Sequence, residues 1–263
     1  MRVLVAGPGV VGRAIVDALV DVHDVVVLDR RPCDIAGTTS VQVDVRDWRG
    51  VREALEPLNP IDGLVSTVYA PTNQDLGAED NAVRQFDVTV KGTWILLEEA
   101  VRVGAKRIVY VSTCNAYGGL RPGATYTEDI DPLTNSDLDV AWPYGLTKLL
   151  AEHIVQQFCW THDCTGISLR LGSVHSPGVM ERRGIHVEDV ASAVRLALVT
   201  DTGTYDVVNL TCDTPRLVTA PNDKAKRLLG WEPKHDFEFR PELEDWSQAN
   251  DPPPDALPEP PSA

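Results

Sequence analysis

Two residues that could act together in proton transfer, Tyr144 and Lys148, stand four positions apart. On a helix this spacing puts both side chains on one face, where an ammonium group can lie near a phenol. A free tyrosine has a pKa of about 10 and is a weak base at neutral pH, but a fixed positive neighbour stabilises its phenolate. The pair therefore fits a catalytic base. Because the same spacing also fits an exposed amphipathic helix with a half-buried tyrosine, the surrounding elements must decide.

A glycine turn near the start of the chain predicts a dinucleotide site. Residues 2–6 form a short apolar run typical of a buried parallel strand, and residues 10–19 have helical periodicity. The turn between them has the pattern Gly-x-Gly-x-x-Gly, which lets the backbone approach a pyrophosphate at the positive end of a helix. The residues expected to hold the cofactor here are Gly7, Gly9, Val10, Val11 and Gly12.

Acidic residues at the ends of the next two predicted strands favour NAD over NADP. Asp29 ends the second strand, where a carboxylate accepts hydrogen bonds from an adenosine ribose and repels the additional phosphate of NADP. Arg30 and Arg31 follow directly and keep NADP as the alternative, since guanidinium groups bind phosphate. Asp44 is expected to meet the adenine amino group, with Val45 packed on the ring; otherwise Asp44 only caps its strand.

Composition limits the partners. The chain has 263 residues, with 24 basic and 39 acidic side chains and a formal net charge of −15. Repulsion argues against nucleic acid and anionic membranes. The excess of acids fits a high-salt cytoplasm or a GC-rich genome equally well. Five scattered cysteines indicate neither a disulfide framework nor a zinc site. We expect a soluble cytoplasmic protein.

Strands and helices alternate along the chain with short connections. This pattern predicts an α/β fold, a Rossmann-like doubly wound parallel sheet. The predicted strands are residues 2–6, 25–28, 41–45, 63–68, 107–112, 166–171 and 204–210. The predicted helices are residues 10–19, 48–55, 79–104, 141–159, 188–198 and 223–230.

The pattern is that of one domain over residues 1–247, followed by a Pro-rich acidic tail, residues 248–263, that we expect to be disordered. Three histidines, His175, His186 and His235, lack companions at metal-ligand spacing. We expect them to cap helices or pack in the core, and we predict no metal site.

Several segments together resemble the extended short-chain dehydrogenase/reductase family, the NAD-dependent epimerase/dehydratases. Besides the glycine turn and the Tyr144/Lys148 pair, these are residues 43–47, 109–118, 170–178, 185–190 and 229–233. The resemblance implies that Thr113, with Ser112 as the alternative, is the hydroxyl partner of Tyr144. It implies that Tyr144 takes the proton of a substrate hydroxyl while hydride passes to the nicotinamide. Lys148 is then expected to hold the nicotinamide ribose, and Ser66 and Leu171 to lie at the cofactor.

Some residues depart from the family pattern. The glycine turn is one residue shorter than usual, and Thr89 stands where the family has Asn. Cys114 and Asn115 replace the Asp-Glu pair of the sugar-nucleotide dehydratases, which disfavours elimination of water. Ser173 replaces a further Asn.

The segment that normally builds the nucleotide-sugar lobe is nearly missing. Only residues 179–185 separate the segment ending at Gly178 from the one beginning at His186. This reduced C-terminal substrate portion, residues 172–247, resembles the uronate dehydrogenases. Arg182 or Arg183 then becomes a candidate anchor for a carboxylate or phosphate, or else a solvated turn charge.

The leading hypothesis is therefore an NAD-dependent dehydrogenase of a uronate or sugar phosphate. An epimerase or carbonyl reductase is the alternative, and a non-catalytic NAD(P)-sensing regulator is a third hypothesis. The resemblance also allows a homodimer through the helices 79–104 and 141–159. The residues expected to contact substrate are Thr113, Cys114, Asn115, Tyr144, Ser173, Arg182 and Arg183.

Overall fold

Runs of valine, leucine and isoleucine form the strands of a seven-stranded parallel sheet that helices cover on both faces. The structure is a computed structural model and describes residues 1–118, 124–135, 138, 140, 142–175, 184–213 and 220–235. The strands are β1 (Arg2–Ala6), β2 (Asp24–Asp29), β3 (Thr38–Gln42), β4 (Gly63–Ser66), β5 (Arg107–Thr113), β6 (Thr165–Leu171), β7 (Ser173–His175), β8 (Gly184–His186) and β9 (Tyr205–Leu210). The order across the sheet is β3-β2-β1-β4-β5-β6-β9. The chain order thus reverses between β1 and β4, the place where doubly wound folds bind ligands.

The helices divide between the two faces. They are α1 (Val10–Leu19), α2 (Trp48–Leu55), α3 (Ala78–Gln85), α4 (Gly92–Arg102), α5 (Pro143–Thr161), α6 (Val187–Val199) and α7 (Asp223–Leu229). One core packs beneath α1, α6 and α7, and a second packs beneath α2, α4 and α5. Because the sheet is buried on both sides, its strands read as continuous apolar runs, and the doubly wound prediction is confirmed.

The third strand differs from its predicted bounds. β3 spans residues 38–42, whereas the sequence predicts 41–45. β3 lies at the edge of the sheet and is largely exposed, so no apolar run marks it. Residues 44–47 form a turn instead, in which Oδ1 of Asp44 accepts from the amide of Arg46 at 2.9 Å. Asp47 then caps α2 by accepting from Gly50 at 3.0 Å.

The long predicted helix 79–104 is interrupted rather than regular. α3 and α4 are joined by a π-helical segment, Phe86–Lys91, and Thr89 is the buried residue of that segment. Such segments hold one residue more per turn and shift the helix face that follows. The two-stranded sheet of β7 and β8 is also unpredicted, since strands of three residues carry too little pattern.

No helix among the described ranges has both the length and the apolar character needed to cross a membrane. The five cysteines all lie among the described residues and form no disulfide bond. The predicted tail, residues 248–263, lies outside the described residues, and the domain boundary at 247 stays a prediction.

Candidate functional site

The residues predicted to do chemistry meet at one edge of the sheet, because parallel strands end together. Five neighbouring strands, β2, β1, β4, β5 and β6, end at this edge. The last residues of these strands are Asp29, Ala6, Ser66, Thr113 and Leu171. Four of these five are predicted site residues, which the fold therefore brings to one edge.

The glycine turn has the shape that a pyrophosphate needs. Gly7 has a φ of +82°, a conformation that favours glycine. At Gly12 a Cβ atom would lie 2.7 Å from the carbonyl oxygen of Gly7 and 3.0 Å from Oγ1 of Thr67, so this glycine lets α1 pack against β1. At Gly9 a Cβ would meet nothing within 4 Å. Gly9 also caps α1 without a side-chain hydrogen bond, which leaves space and amide donors for a phosphate.

The ribose and adenine candidates are already engaged with arginines. Asp29 accepts from the amide of Arg31 at 2.8 Å, and its side chain is only 16% exposed. Asp44 forms a two-point ion pair with Arg46, 2.7 Å between Oδ2 and Nη2, and the Arg46 hydrogen bond lowers the pKa of Asp44. Arg30 is exposed. The predicted ribose contact therefore requires Asp29 to share its carboxylate with the amide of Arg31, and the predicted adenine contact requires Asp44 to share its carboxylate with Arg46.

Two further residues predicted to contact the cofactor, Val45 and Ser66, are buried. Val45 is buried beneath α4, where it fills the space a Cβ at Gly92 would need, 2.7 Å from Cγ2 of Val45. Ser66 is 2% exposed, and within the described part of the chain its hydroxyl has no hydrogen-bond partner. An unpaired buried hydroxyl at the end of β4 costs free energy, which a bound nucleotide can recover. The residues present thus fit a dinucleotide.

Helix α5 delivers Tyr144 to the end of β5 by a close backbone contact. Pro143 occupies the first turn of α5, where a missing amide hydrogen costs nothing. A Cβ at Gly145 would lie 2.5 Å from the carbonyl oxygen of Asn115, so only glycine permits this approach. Asn115 belongs to the 3-10 helix Cys114–Tyr117 that directly follows β5. The contact places Tyr144 above Thr113.

The Thr113 side chain lies near the hydroxyl of Tyr144 and affects its pKa. Burial raises the pKa of Tyr144 to about 12, and the Thr113 side chain offsets only part of this. The sequence predicts that a positive neighbour lowers the pKa of Tyr144. In the structure the pKa is raised instead. The amide of Asn115 donates to Oγ1 of Thr113 at 3.2 Å and holds the threonine in place.

Lys148 lies one turn below Tyr144 and is 3% exposed. Its ammonium donates to the carbonyl of Val111 and lies 4.3 Å from the ring centroid of Tyr110. Burial lowers the pKa of Lys148 to about 7, while the charge of Glu152 opposes this. The ammonium of Lys148 is thus directed at the backbone of β5 and the ring of Tyr110.

A buried polar network supports these residues and was missed by the sequence reasoning. Glu152, one further turn along α5, pairs with Arg170 at 2.7 Å between Oε2 and Nη2. Ser112 donates to the same carboxylate, and the guanidinium carbon of Arg170 lies 4.6 Å from the ring centroid of Tyr117. The available signal was an acid four residues beyond Lys148, on the same face of the helix.

This network also bears on the choice between the two candidate hydroxyls. Because Ser112 is committed to Glu152, Thr113 is the one directed at Tyr144. The contact of Ser112 with Glu152 therefore favours Thr113, which stays the predicted hydroxyl partner of Tyr144.

The predicted substrate residues are dispersed. Asn115 and Ser173 are exposed at the same edge of the sheet. Cys114 is buried, and its thiol donates to the carbonyl of Arg170 at 3.4 Å, so its side chain faces the interior. Arg182 and Arg183 lie outside the described residues. Substrate contact by any of these five residues stays a prediction.

A second cluster, away from the tyrosine, joins α6 to the segment after α7. Within the described residues, His186, Glu188 and His235 bring ligand-type atoms within 4.8 Å of one another. However, Nδ1 of His186 is already engaged within the chain, since it accepts from the amide of Glu188 at 3.3 Å. The rings of His186 and His235 stack 3.8 Å apart, and Asp189 accepts from the amide of His235 at 3.1 Å. The cluster thus caps the start of α6 and holds the segment around His235 against it.

Comparisons with known proteins agree with this geometry. Residues 3–185 match the model of the NAD dependent epimerase/dehydratase family. An L-arabinose 1-dehydrogenase (NAD(P)(+)) of Haloferax volcanii is 29% identical over 202 residues, covering 74% of this chain and 75% of the relative. A UDP-glucose 4-epimerase of Neisseria meningitidis serogroup C is 31% identical, but the chain spans only 47% of its length and 59% of the chain is covered.

Solved structures match over most of the chain. A Thermus thermophilus UDP-glucose 4-epimerase in complex with NAD superposes with a TM-score of 0.74 and 24% identity, covering 90% of this chain and 95% of that one. A mutated uronate dehydrogenase gives a TM-score of 0.75 at 24% identity, covering 96% and 88%. At such identities the likeness establishes the fold.

Proposed function

Because the chain belongs to the NAD dependent epimerase/dehydratase family, whose members are NAD(P)-dependent enzymes, we propose that it is a dehydrogenase that oxidises a hydroxyl of a small sugar derivative. Its cofactor is NAD, which a solved structure of the same fold carries. The observation that carries the proposal is the meeting of Tyr144 on α5 with Thr113 at the end of β5, which the close approach at Gly145 permits.

The residues divide the work of the oxidation. Thr113 donates a hydrogen bond to the reacting oxygen and sets its distance, and Tyr144 as phenolate takes the proton of the hydroxyl. NAD, when bound, supplies the acceptor for the hydride released from the same carbon. The alcohol thus loses one hydride and one proton and becomes a carbonyl. The ammonium of Lys148, on the same face of α5, stabilises the phenolate and offers a donor to the nicotinamide ribose.

The size of the substrate is limited by the connection between β7 and β8. These strands pair directly and are joined by residues 176–183 alone. So short a connection supports a monosaccharide derivative rather than a nucleotide-linked sugar. The sequence expectation of a uronate or sugar phosphate depends on Arg182 and Arg183, which lie outside the described residues, and a panel of substrates tests it.

The test is production of NADH, followed by absorbance, with neutral aldoses, uronates and sugar phosphates. We expect net NADH with at least one class, and a fall in kcat of about 10²–10⁴-fold for Tyr144→Phe with NAD binding retained. Tyr205→Phe is the matched control, since Tyr205 lies at the opposite end of the sheet, where its hydroxyl donates to Ser168 at 2.8 Å.

An epimerase is the second candidate, favoured by the similarity to UDP-glucose 4-epimerases. An epimerase oxidises and re-reduces one substrate, so NAD is recycled. Conversion of a sugar without net NADH would support this candidate against the dehydrogenase. A Tyr144→Phe variant with unchanged kcat would contradict both.

A further inference from the structure

Two aromatic side chains flank Tyr144, and neither has a place in the proton transfer just described. The rings of Tyr69 and Trp142 each lie with their centroids 5.9 Å from that of Tyr144, tilted by 67° and 65°. Both contacts are edge-to-face, the geometry that the ring quadrupole favours. The catalytic phenol is therefore held between two other rings.

The flanking rings are exposed although they stand beside a buried hydroxyl. Tyr69 is 48% exposed and Trp142 is 47% exposed, whereas the Tyr144 ring between them is mostly covered. Exposed aromatic surface next to polar hydroxyls is typical of ligand sites, where a few polar groups orient a ligand and aromatic side chains bury its apolar part. The two rings thus offer binding surface at the mouth of the site.

Their positions are fixed by the elements that carry the catalytic groups. Trp142 is the N-cap residue of α5 and precedes Tyr144 by two residues. Tyr69 follows the end of β4 by three residues. A ligand held by both rings is therefore held at a constant distance from the reacting hydroxyls.

The charge of the described site does not favour an anion. The side chains at its mouth, Tyr69, Thr113, Asn115 and Trp142, are uncharged, and the ammonium of Lys148 is buried against Val111. The whole chain carries a formal charge of −15, which repels anions at long range. A sugar ring is a better match, because its C–H hydrogens carry partial positive charge and pack on the negative face of an aromatic ring.

We propose that Tyr69 and Trp142 bind the C–H face of a neutral monosaccharide and present its hydroxyl to Tyr144 and Thr113. This inference rests on the proposed function and narrows its substrate class. Recognition then comes from stacking on the ring and not from a charged substituent, so neutral aldoses are the preferred substrates over the matching uronates and sugar phosphates.

The experiment uses the NAD-loaded enzyme and a panel in which each neutral aldose is paired with its uronate and its phosphate. For Trp142→Ala and for Tyr69→Ala, we expect KM for the neutral sugar to rise about tenfold, with kcat changed less than about threefold and KM for NAD unchanged. Trp142→Phe and Tyr69→Phe, which keep an aromatic face, are expected to restore most of the affinity. Trp160→Ala is the control, since Trp160 is 59% exposed at the far end of the same helix.

Calorimetric titration of the same neutral sugars into the NAD-loaded protein separates this inference from the proposed function. Binding that Trp142→Ala weakens, without any NADH, would retain the inference and reject the dehydrogenase. NADH production with KM unchanged in both alanine variants would overturn the inference alone. A preference for the uronate or the phosphate over the neutral sugar would overturn it as well.

Discussion

Arg170 and Lys148 are both almost fully buried near the candidate site, but their surroundings differ. Arg170 has a carboxylate partner, Glu152, with Nε and Nη2 both donating to it. Burial alone would lower the pKa of Arg170, yet the charge and hydrogen bonds of Glu152 outweigh burial and raise it. Lys148 donates to the carbonyl of Val111, and burial lowers its pKa to about 7.

Arg170 thus keeps a fixed charge that joins two elements, whereas the charge of Lys148 can change with its surroundings. A paired guanidinium keeps its charge at every pH the protein meets and joins β6 to α5. An ammonium without a carboxylate in direct contact loses its proton readily, and such a group can respond to a change of charge beside it. Glu152 lies near both cations but pairs only with Arg170. Its carboxylate therefore joins β6 to α5 and does not hold Lys148.

The largest effect is expected from breaking the paired cation. Arg170→Met leaves Glu152 buried and without its guanidinium, so we expect the free energy of unfolding to fall by about 3–5 kcal/mol. Chemical denaturation at pH 7 measures it.

The double variant Arg170→Met, Glu152→Leu is the control for this expectation. Because it removes both charges, it should lose less stability than the single variant. A single variant as stable as the parent would mean that the pair contributes nothing to the fold.

Removal of Lys148 is expected to raise the stability, whereas removal of Arg170 lowers it. The folded pKa of Lys148 is below the unfolded value, so folding must remove or bury a charge, and this cost is fully present below pH 7. The cost shrinks as pH rises from about 7 and is gone above the unfolded value near 10.5. Lys148→Met should therefore raise the stability by about 1–3 kcal/mol at pH 6.5 and not at pH 10.5, while activity is lost.

Thermal unfolding of the Lys148→Met variant at several pH values measures this trend. Lys91→Met, at an exposed position, is the control and should show no such pH dependence. A Lys148→Met variant that is less stable than the parent at pH 6.5 would show that the buried ammonium supports the fold.

The sequence predicts the secondary structure and motifs around this site better than the side-chain contacts within it. The sheet, the glycine turn, Asp29 and the position of Tyr144 follow from period and spacing, because each is written in consecutive residues. The strand β3 was misplaced because an exposed edge strand carries no apolar run. The π-helical segment was not recognised, because its six residues, Phe86–Lys91, lie inside a longer stretch with helical spacing.

The sequence does not show which side chains of distant elements contact each other. Glu152 lies in a helix whose acids are expected to be solvated, and only the packing of β6 on α5 brings Arg170 to it. Likewise the sequence suggests that Lys148 lies near a phenol, but it does not reveal the carbonyl of Val111 that takes its hydrogen bond. The pKa of Tyr144 was expected to be low for the same reason, since burial cannot be read from spacing.

The smallest effect is expected where a buried carboxylate has exposed partners. Glu99 is fully buried, whereas the side chains of Arg52 and Arg102 that pair with it are 52% and 34% exposed. Burial would raise the pKa of Glu99, but hydrogen bonds from Arg52, Arg102 and Trp48 outweigh it and lower the pKa to about 2. Because the arginines can turn to water when the charge is lost, and solvent screens them, Glu99→Gln should cost only about 1 kcal/mol at pH 7.

The pH dependence of that cost identifies its origin. A lowered folded pKa gives stability that is present above the unfolded value near 4.5 and is lost as pH falls toward 2. The difference between parent and Glu99→Gln, measured by urea denaturation, should therefore be constant from pH 7 to about 5 and shrink below that. Glu53→Gln, at an exposed ion pair, should change nothing measurable. A Glu99→Gln loss as large as that of Arg170→Met would mean that exposure of the partners does not set the cost of breaking a buried pair.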